Sequence, residues 1–309
     1  MKKLLFTGGG GAGNEAIFRL LGERYDIHFA DADPDAIDPS IPADRRHGIP
    51  LAKASGFGDA VATLCQRLGI DLLIPGVDEE LPHLAARTDV SVLLPDAAYV
   101  STMLDKLESV RALAAKGLDS PRTARADESW SSFPCIAKPR DGRGSRHVEV
   151  LRAPSQVAAY LELTGYVAEN VVLQELLTGQ EYTVLMAADL KARLHATVIV
   201  RVEVKRGITL RAEVVHGDAI AEACRHVHEA LPARGCYNIQ LMQDETGRVI
   251  PFEINPRIST TFCLGLAAGV DPIAVYLQNT LPGPLQTGRA GTRLGRFWTN
   301  HIQPGKLQS

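Results

Sequence analysis

The stretch Gly235-Cys-Tyr-Asn-Ile-Gln-Leu-Met-Gln-Asp-Glu-Thr-Gly-Arg-Val-Ile-Pro-Phe-Glu-Ile-Asn-Pro-Arg257 has the pattern of a β-hairpin. Its first half alternates apolar and polar residues, the Asp-Glu-Thr-Gly segment supplies turn residues, and residues 249–254 run back as a second strand. Because side chains alternate between the two faces of a strand, Glu253 and Asn255 project to the same side. Gln240, on the partner strand, is expected to reach that side too.

Three oxygen-bearing side chains that converge on one point suit a hard cation. Mg²⁺ keeps few protein ligands and completes its shell with water and phosphate oxygens, so Gln240, Glu253 and Asn255 are predicted metal ligands. Arg257 follows two residues after Asn255 and offers a fork of donors to the same phosphates. Periodicity alone leaves an ordinary alternative, which is a solvated polar strand face.

The composition argues against several classes of protein, among them nucleic-acid-binding, disulfide-rich and membrane-spanning proteins. A chain of 309 residues with 45% hydrophobic residues suits two or three small domains. The 33 Lys and Arg residues nearly balance the 36 Asp and Glu residues, so no nucleic-acid partner is expected. The five cysteines are odd in number and form no C-x-x-C, which disfavours disulfides and predicts a cytoplasmic location. The apolar run after Lys3 breaks at once into glycines, so neither a signal peptide nor a membrane span is expected.

Strands and helices alternate over residues 3–100, including a predicted strand at 90–94, and this order predicts a parallel sheet of the doubly wound type. Between the first strand and the first helix, Gly8, Gly10 and Gly13 form a G-x-G-x-x-G, and Asp31 or Asp33 lies near the end of the second strand. In this context the pattern is the dinucleotide-binding fingerprint. Taken alone, it predicts an NAD(P)-dependent oxidoreductase.

A second glycine-rich segment begins after a predicted strand that ends near Lys138. Gly142 and Gly144 allow the loop to close over an anion with its backbone N–H groups, and Ser145 adds a hydroxyl. The sequence is not a Walker loop, because G-x-x-x-x-G-K-[ST] is absent. A plain hairpin turn is the structural alternative. Upstream, residues 102–117 are predicted to form one helix that contains Asp105-Lys106.

Five motifs together resemble the ATP-grasp superfamily, in particular the branch similar to the large subunit of carbamoyl-phosphate synthase, with a single ATP-grasp unit. They occur in the required order: Asp105-Lys106, Lys138-Pro-x-x-Gly-x-Gly-Ser, Glu175 to Glu181, Gln240, and Glu253-Ile-Asn-Pro-Arg257. The resemblance implies an α/β and α+β ATP-grasp fold preceded by a Rossmann-like domain. In that family the leading domain carries a similar glycine-rich turn without a dinucleotide. The expected limits are residues 1–100 for this domain, 101–180 for the small lobe and 181–309 for the large lobe with the metal site.

The resemblance also implies a role for each matching residue. It assigns the nucleotide phosphates to Lys106, Lys138, Gly142, Gly144 and Ser145. It assigns the adenine edge to Glu175 and the backbone of Leu176 and Leu177, and the ribose to Glu181. It assigns the transferred phosphate or the substrate carboxylate to Arg257 and to one or two of Arg201, Lys205 and Arg211. The predicted catalytic residues are Arg257, Lys205 and Arg211.

The activity implied by the resemblance is an ADP-forming carboxylate–amine ligase. ATP and Mg²⁺ are the expected cofactors, with Mn²⁺ as a substitute, and the substrates are a small carboxylate and an amine. The oligomeric state stays open, with a homodimer the commonest case on general grounds. Two alternatives remain at this point: the NAD(P)-dependent oxidoreductase, and an ATP-binding protein without catalytic activity.

Overall fold

The computed structural model describes residues 1–278 and 284–297. Its strands form three sheets that follow one another along the chain. The predicted domain limits remain predictions, and the limit at residue 100 falls inside a helix that spans Ala97–Leu104. None of the helices within the described residues combines the length and the apolar character that a membrane span needs.

The first sheet is parallel and has the strand order β3-β2-β1-β4. Its elements are β1 (Lys2–Thr7), α1 (Asn14–Leu21), β2 (Tyr25–Asp31), β3 (Arg46–Gly48), α2 (Phe57–Leu68), β4 (Leu72–Ile74) and the short α3 (Leu81–Leu84). The strand predicted at 90–94 is wrong, because only Val92 forms a bridge, to Leu73. A single bridge leaves the neighbouring residues outside the ladder.

Two helices, α4 (Ala97–Leu104) and α5 (Lys106–Ala115), replace the single helix predicted for 102–117. They are separated at Asp105, whose backbone is extended and whose carboxylate accepts hydrogen bonds from the N–H groups of Leu107 and Glu108. An aspartate in this position starts a helix, because it satisfies N–H groups that have no partner within the helix. Lys106 is therefore the first residue of α5.

The second sheet is small and antiparallel, with the order β5-β8-β6-β7. Its elements are β5 (Thr123–Arg125), β6 (Cys135–Pro139), β7 (Glu149–Leu151), α6 (Ser155–Thr164) and β8 (Val171–Glu175). Helix α6 packs on this sheet through Tyr160, which shares a buried cluster with Cys135 and Leu173. The strand–loop–strand arrangement predicted around Lys138 is present as β6 and β7.

The third sheet is larger, antiparallel throughout, and has the order β13-β12-β9-β10-β11-β14. Its elements are β9 (Gln180–Ala188), β10 (Leu194–Arg206), β11 (Ile208–Val215), α7 (Asp218–Ala230), β12 (Gly235–Gln243), β13 (Val249–Asn255), α8 (Phe262–Ala267), α9 (Pro272–Gln278) and β14 (Arg293–Gly295). The predicted hairpin of residues 235–257 is therefore β12 and β13, at one edge of this sheet. The sequence also indicated a strand near Phe297 and Trp298, of which Trp298 lies outside the described residues.

Both faces of the large sheet are buried, which explains the nearly continuous apolar run in β9. Leu185 and Ala187 pack on one face together with Phe6 and Phe262, whereas Val184 and Met186 pack on the other. The first face packs on the amino-terminal unit, which comprises the elements from β1 to α3 (residues 2–84), through contacts between α1 and α8. The second face is covered by α5 and α7. This packing holds the three sheets around one cavity.

Candidate active site

A cavity of about 750 Å³ lies between the small sheet and the large sheet and reaches the amino-terminal unit. Of the residues predicted for the site, Arg201 and Arg211 do not line this cavity, and the others do: Lys106, Lys138, Gly142, Gly144, Ser145, Glu175, Leu176, Leu177, Glu181, Lys205, Gln240, Glu253, Asn255 and Arg257. Its size is within the range of ordinary ligand sites, roughly 300–1,000 Å³. The motifs that are scattered over 150 residues of sequence thus meet at one place.

The register of the hairpin determines which of the predicted metal ligands lie opposite each other. Gln240 lies directly opposite Glu253, and Asn238 lies opposite Asn255, before a bulge shifts the pairing beyond Gln240. Opposed residues in an antiparallel pair project to the same face. The four side chains therefore face the cavity together, and each of them lines it. Asn238 was not predicted, although its position two residues before Gln240 is the signal that could have found it.

The oxygens of this cluster fit a hard divalent cation. Within the described residues, Glu253 has no hydrogen bond or ion pair, and buried Asn255 uses its amide nitrogen to donate to Asn238 Oδ1 at 3.4 Å. The Glu253 carboxylate and the Asn255 amide oxygen are therefore left for a ligand in the cavity. The described residues hold no group of three or more His, Cys, Asp or Glu that could bind a metal. Such a group is not required here, because the cluster of Asn238, Gln240, Glu253 and Asn255 contains one carboxylate and three amides.

Lys205 connects two predicted subsites. Its Nζ lies 2.5 Å from Glu181 Oε1, predicted to bind the ribose, and 3.3 Å from Gln240 Oε1, predicted to bind the metal. Both interactions depend on β9, because β10 and β12 flank it on either side. Gln240 therefore shares its amide oxygen with Lys205, so its availability to a metal is lower than that of Glu253 or Asn255.

Two buried lysines bring positive charge to the cavity. Lys138, at 5% exposure, donates to Gln174 Oε1 at 2.9 Å, and Lys106, at 9% exposure, donates to the Gly142 carbonyl at 2.8 Å. Burial lowers the pKa of Lys138 to about 8; Glu253 opposes this shift, while Lys106 and Lys205 add to it. Accumulated positive charge in a poorly solvated site favours an anionic ligand.

The connection between β8 and β9 forms the wall predicted to face the adenine. Leu176 and Leu177 lie between the two strands and line the cavity with the apolar side chains of Ile136, Met242 and Phe252. The Glu175 carboxylate also accepts a hydrogen bond from the Arg122 backbone N–H at 3.2 Å. This contact engages the carboxylate in the structure of the small sheet, so the backbone of Leu176 and Leu177 is the better candidate for the adenine edge.

The far end of the cavity lies against the amino-terminal unit. Here Asp78 forms an ion pair with Arg257, and the two side chains are 10% and 12% exposed. Thr209 and Thr260 line the same end, and their backbone carbonyls accept hydrogen bonds from Arg296. The sequence identified Arg257 but not Asp78 as a site residue, and it did not identify Arg296, which supports the site from outside the cavity lining. The run Val77-Asp-Glu-Glu offered a signal for Asp78, whereas nothing local pointed to Arg296.

Two predictions need correction. Arg211 is exposed on β11 and does not line the cavity, so it is not retained as a catalytic residue. Arg201, also considered for the substrate, pairs instead with Glu213 at 2.5 Å and lies outside the cavity lining. Alternating strand positions can bear cations on either face, and sequence alone does not tell which face a bulged strand turns to the site.

Two glycines of the amino-terminal glycine-rich turn pack closely against other residues of the same unit. A Cβ on Gly8 would stand 2.6 Å from Val77 Cγ2, and one on Gly10 would stand 2.8 Å from Ala36 Cβ. The Gly10 N–H donates to the Asp31 carboxylate at 2.9 Å. The glycines therefore permit close packing within the unit, and the acid expected to bind a ribose caps the turn itself. This arrangement does not favour the dinucleotide alternative.

The arrangement of the sheets around the cavity is that of the ATP-grasp fold, which confirms the fold expected from the sequence. Residues 168–293 match a family model described as "ATP-grasp in the biosynthetic pathway with Ter operon". No curated protein matches this chain by sequence.

Solved structures with the same fold share little sequence with this chain. The biotin carboxylase domain of 2-oxoglutarate carboxylase from Hydrogenobacter thermophilus, solved as a dimer with MgADP and bicarbonate, has a TM-score of 0.69 and 13% identity, over 94% of this chain and 73% of that one. An L-amino acid ligase from Bacillus licheniformis has a TM-score of 0.66 and 17% identity, over 91% of this chain and 74% of the ligase chain. N5-carboxyaminoimidazole synthase from Aspergillus clavatus, solved with ADP, has a TM-score of 0.70 and 16% identity, over 94% of this chain and 79% of the synthase chain.

Proposed function

We propose that this protein is an ATP- and Mg²⁺-dependent carboxylate–amine ligase that forms ADP. The observation that carries the proposal is the convergence of two buried lysines, a glycine-rich loop and the end of the hairpin on a single cavity. A nucleotide polyphosphate needs such an arrangement, because its charge must be neutralised on several sides at once. The ligases and carboxylases among the solved structures support the same class of reaction.

The reaction has two steps. A carboxylate oxygen attacks the γ-phosphorus of ATP, so ADP leaves and an acyl phosphate forms. The nitrogen of an amine then attacks the acyl carbon, and inorganic phosphate leaves. The protein's contribution is to hold the reactants together and to stabilise developing charge, without a covalent intermediate on the chain.

Different residues act at the nucleotide end and at the substrate end of the cavity. Lys138 and Lys106 neutralise the polyphosphate, and the backbone of residues 142–145 encloses it. The guanidinium of Arg257 holds the carboxylate and the transferred phosphoryl group, with Asp78 fixing its orientation. Lys205 keeps Glu181 beside the ribose. The Leu176–Leu177 backbone and the apolar wall bind the adenine.

Glu253 and Asn255, with Gln240 as a weaker third ligand, would hold Mg²⁺. A divalent ion held there would neutralise part of the charge of the nucleotide polyphosphate. Mn²⁺ is expected to substitute, because the ligands are oxygens. We extend the proposal to a small carboxylate and a small amine as substrates, to a cytoplasmic location, and to a homodimer. The domain limits at residues 100 and 180 belong to the same proposal.

The test is formation of ADP from MgATP in the presence of pools of carboxylates and amines. Glu253→Gln and Asn255→Ala are expected to lower Mg²⁺-dependent ADP formation by roughly 100-fold or more. Glu245→Gln is the matched control, because Glu245 is exposed in the turn of the same hairpin and does not line the cavity. Near-normal turnover by both site variants would contradict the assigned metal site.

Thermal unfolding with different ligands distinguishes the two alternatives. A ligand that binds only the native state raises the midpoint. MgATP is expected to raise it, whereas NAD⁺ and NADPH are not, because Gly8 and Gly10 pack closely within the unit and the Asp31 carboxylate already accepts from the Gly10 N–H. A rise with NAD⁺ or NADPH alone would favour the oxidoreductase. A rise with MgATP but no ADP formation with any pool would favour a non-catalytic ATP-binding protein.

A further inference from the structure

Arg146 differs from the other cations that line the cavity. Each of the others has a partner: Lys106 with the Gly142 carbonyl, Lys138 with Gln174, Arg143 with Glu79, Lys205 with Glu181, and Arg257 with Asp78. Arg146 lines the cavity, is exposed, and has no hydrogen bond or ion pair among residues 1–278 and 284–297. A guanidinium presents five donors in a planar fork and suits a phosphate or a carboxylate.

The loop around Arg146 is held in a defined conformation. Ser145 and His147, on either side of it, have φ angles of 55° and 54°, which are uncommon for residues with a side chain. The loop begins where Lys106 donates to the Gly142 carbonyl and ends where Tyr160 Oη donates to the His147 carbonyl at 2.7 Å. Both ends of the segment are thus tied to the protein while its middle projects over the cavity.

The tip of this loop reaches the end of the cavity where the substrate is expected. Arg143 Nε lies 2.9 Å from Glu79 Oε2 in the amino-terminal unit. Glu79 is the neighbour of Asp78, which pairs with Arg257. The loop also crosses the β10–β11 turn, because a Cβ on Gly207 would stand 3.2 Å from the Gly144 carbonyl oxygen. The loop therefore connects the nucleotide end of the cavity to the substrate end.

We propose that Arg146 binds the terminal phosphate of MgATP, and that the Arg143–Glu79 ion pair positions the loop so that it can do so. The assignment rests on the proposed function and adds a phosphate-binding side chain to it. The terminal phosphate is the one that must meet the substrate, and Arg143, three residues before Arg146 in the same loop, contacts Glu79 at the substrate end. Arg146 binds the ligand directly, whereas Arg143 and Glu79 act through the position of the loop.

The first experiment compares the affinities of MgATP and MgADP by calorimetry. Arg146→Gln is expected to weaken MgATP binding by roughly tenfold or more, because a hydrogen-bonded charge is lost, and to leave MgADP binding within a few-fold. Arg152→Gln is the control, since Arg152 is an exposed arginine of the same lobe that does not line the cavity. Equal MgATP affinity in Arg146→Gln and Arg152→Gln would overturn the assignment, as would an equal loss for both nucleotides.

The second experiment tests the ion pair by charge reversal. Arg143→Glu and Glu79→Arg are each expected to reduce the preference for MgATP over MgADP, because like charges separate the loop tip from the amino-terminal unit. The double variant, which restores opposite charges, is expected to recover most of the preference. A double variant that is as impaired as the worse single variant would overturn the positioning role. Unfolding midpoints without nucleotide serve as the check on folding.

These outcomes separate the inference from the proposed function. Carboxylate-dependent ADP formation by the unaltered chain, together with an unchanged MgATP affinity in Arg146→Gln, removes only the assignment of Arg146. Failure of the unaltered chain to bind MgATP removes both. Selective loss of MgATP affinity in Arg146→Gln supports the assignment even before the carboxylate substrate has been identified.

Discussion

Lys138 is the residue whose ionisation the cavity alters most directly. It is 5% exposed and its pKa is lowered to about 8, chiefly because burial disfavours the ammonium form. Phosphate oxygens favour the charged form, so nucleotide binding requires proton uptake once the pH exceeds the pKa of the free protein. The affinity for MgATP is therefore expected to be constant at pH 6–7 and to fall as the pH rises through about 8.

Calorimetry across pH 6.5–9.5 checks this expectation. Lys138→Gln is expected to lose roughly tenfold or more in MgATP affinity and to lose the decline above pH 8. Lys116→Gln provides the control, because Lys116 is an exposed lysine that does not line the cavity. An identical pH profile for the unaltered chain and Lys138→Gln would show that another group controls the pH dependence.

Among the elements, the connection from β8 to β9 is the most sterically restricted. Gly179 has φ of 136°, and a Cβ there would stand 2.1 Å from the Gln243 carbonyl oxygen. The obstacle is backbone of the hairpin, which cannot move aside without shifting β12. Gly179 thus permits the connection that carries Leu176 and Leu177 to pass the hairpin closely.

Gly179→Ala is expected to lower the free energy of unfolding by about 3 kcal/mol or more, the sum of an unfavourable φ and overpacking. Gly247→Ala, in the turn of the same hairpin, also has a positive φ of 88° but meets nothing within 4 Å. Its expected loss is about 1 kcal/mol. Urea unfolding of both variants measures the difference. Equal losses of unfolding free energy would mean that the backbone around Gly179 and Gln243 moves apart to admit the methyl group without an additional energetic cost.

At the scale of the whole molecule, the amino-terminal unit and the large sheet are joined across the substrate end of the cavity. The ion pair between Asp78 and Arg257 links residues 179 positions apart, and both side chains are nearly buried. Removing one partner leaves the other charge without compensation in a poorly solvated site, which typically costs about 3–5 kcal/mol. The pair therefore couples docking of the unit to the integrity of the site.

A double-mutant cycle measures that coupling. Asp78→Ala and Arg257→Ala are each expected to destabilise the protein by about 3 kcal/mol, and the double variant by clearly less than the sum. The reference cycle uses Asp119 and Arg248, whose side chains are 53% and 52% exposed and whose coupling is expected to be below about 1 kcal/mol. Coupling in the Asp78–Arg257 cycle that is no larger than in the reference cycle would contradict the proposed docking role.

The sequence by itself determined the features that depend on a few consecutive residues. The hairpin of residues 235–257, the strand that ends near Lys138 and the glycines of its loop follow from local periodicity and turn chemistry, whereas the order of the motifs carried the resemblance to the ATP-grasp superfamily. The helix break at Asp105 belongs to the same class, because an aspartate cap is a local signal that was present in the sequence. The motifs identified the fold and a set of residues that meet in the cavity.

Only the tertiary structure decided which charged side chains meet. Asp78 with Arg257, Glu79 with Arg143, and Arg296 with the carbonyls of the substrate end join residues between 36 and 179 positions apart. It also showed that Arg211 lies outside the cavity lining and that Gly8 and Gly10 pack closely against Val77 and Ala36. Local patterns specify the direction of a side chain relative to its own strand or helix. The partner of a charge depends instead on how separate elements pack, and that packing is set by the apolar faces buried between the sheets.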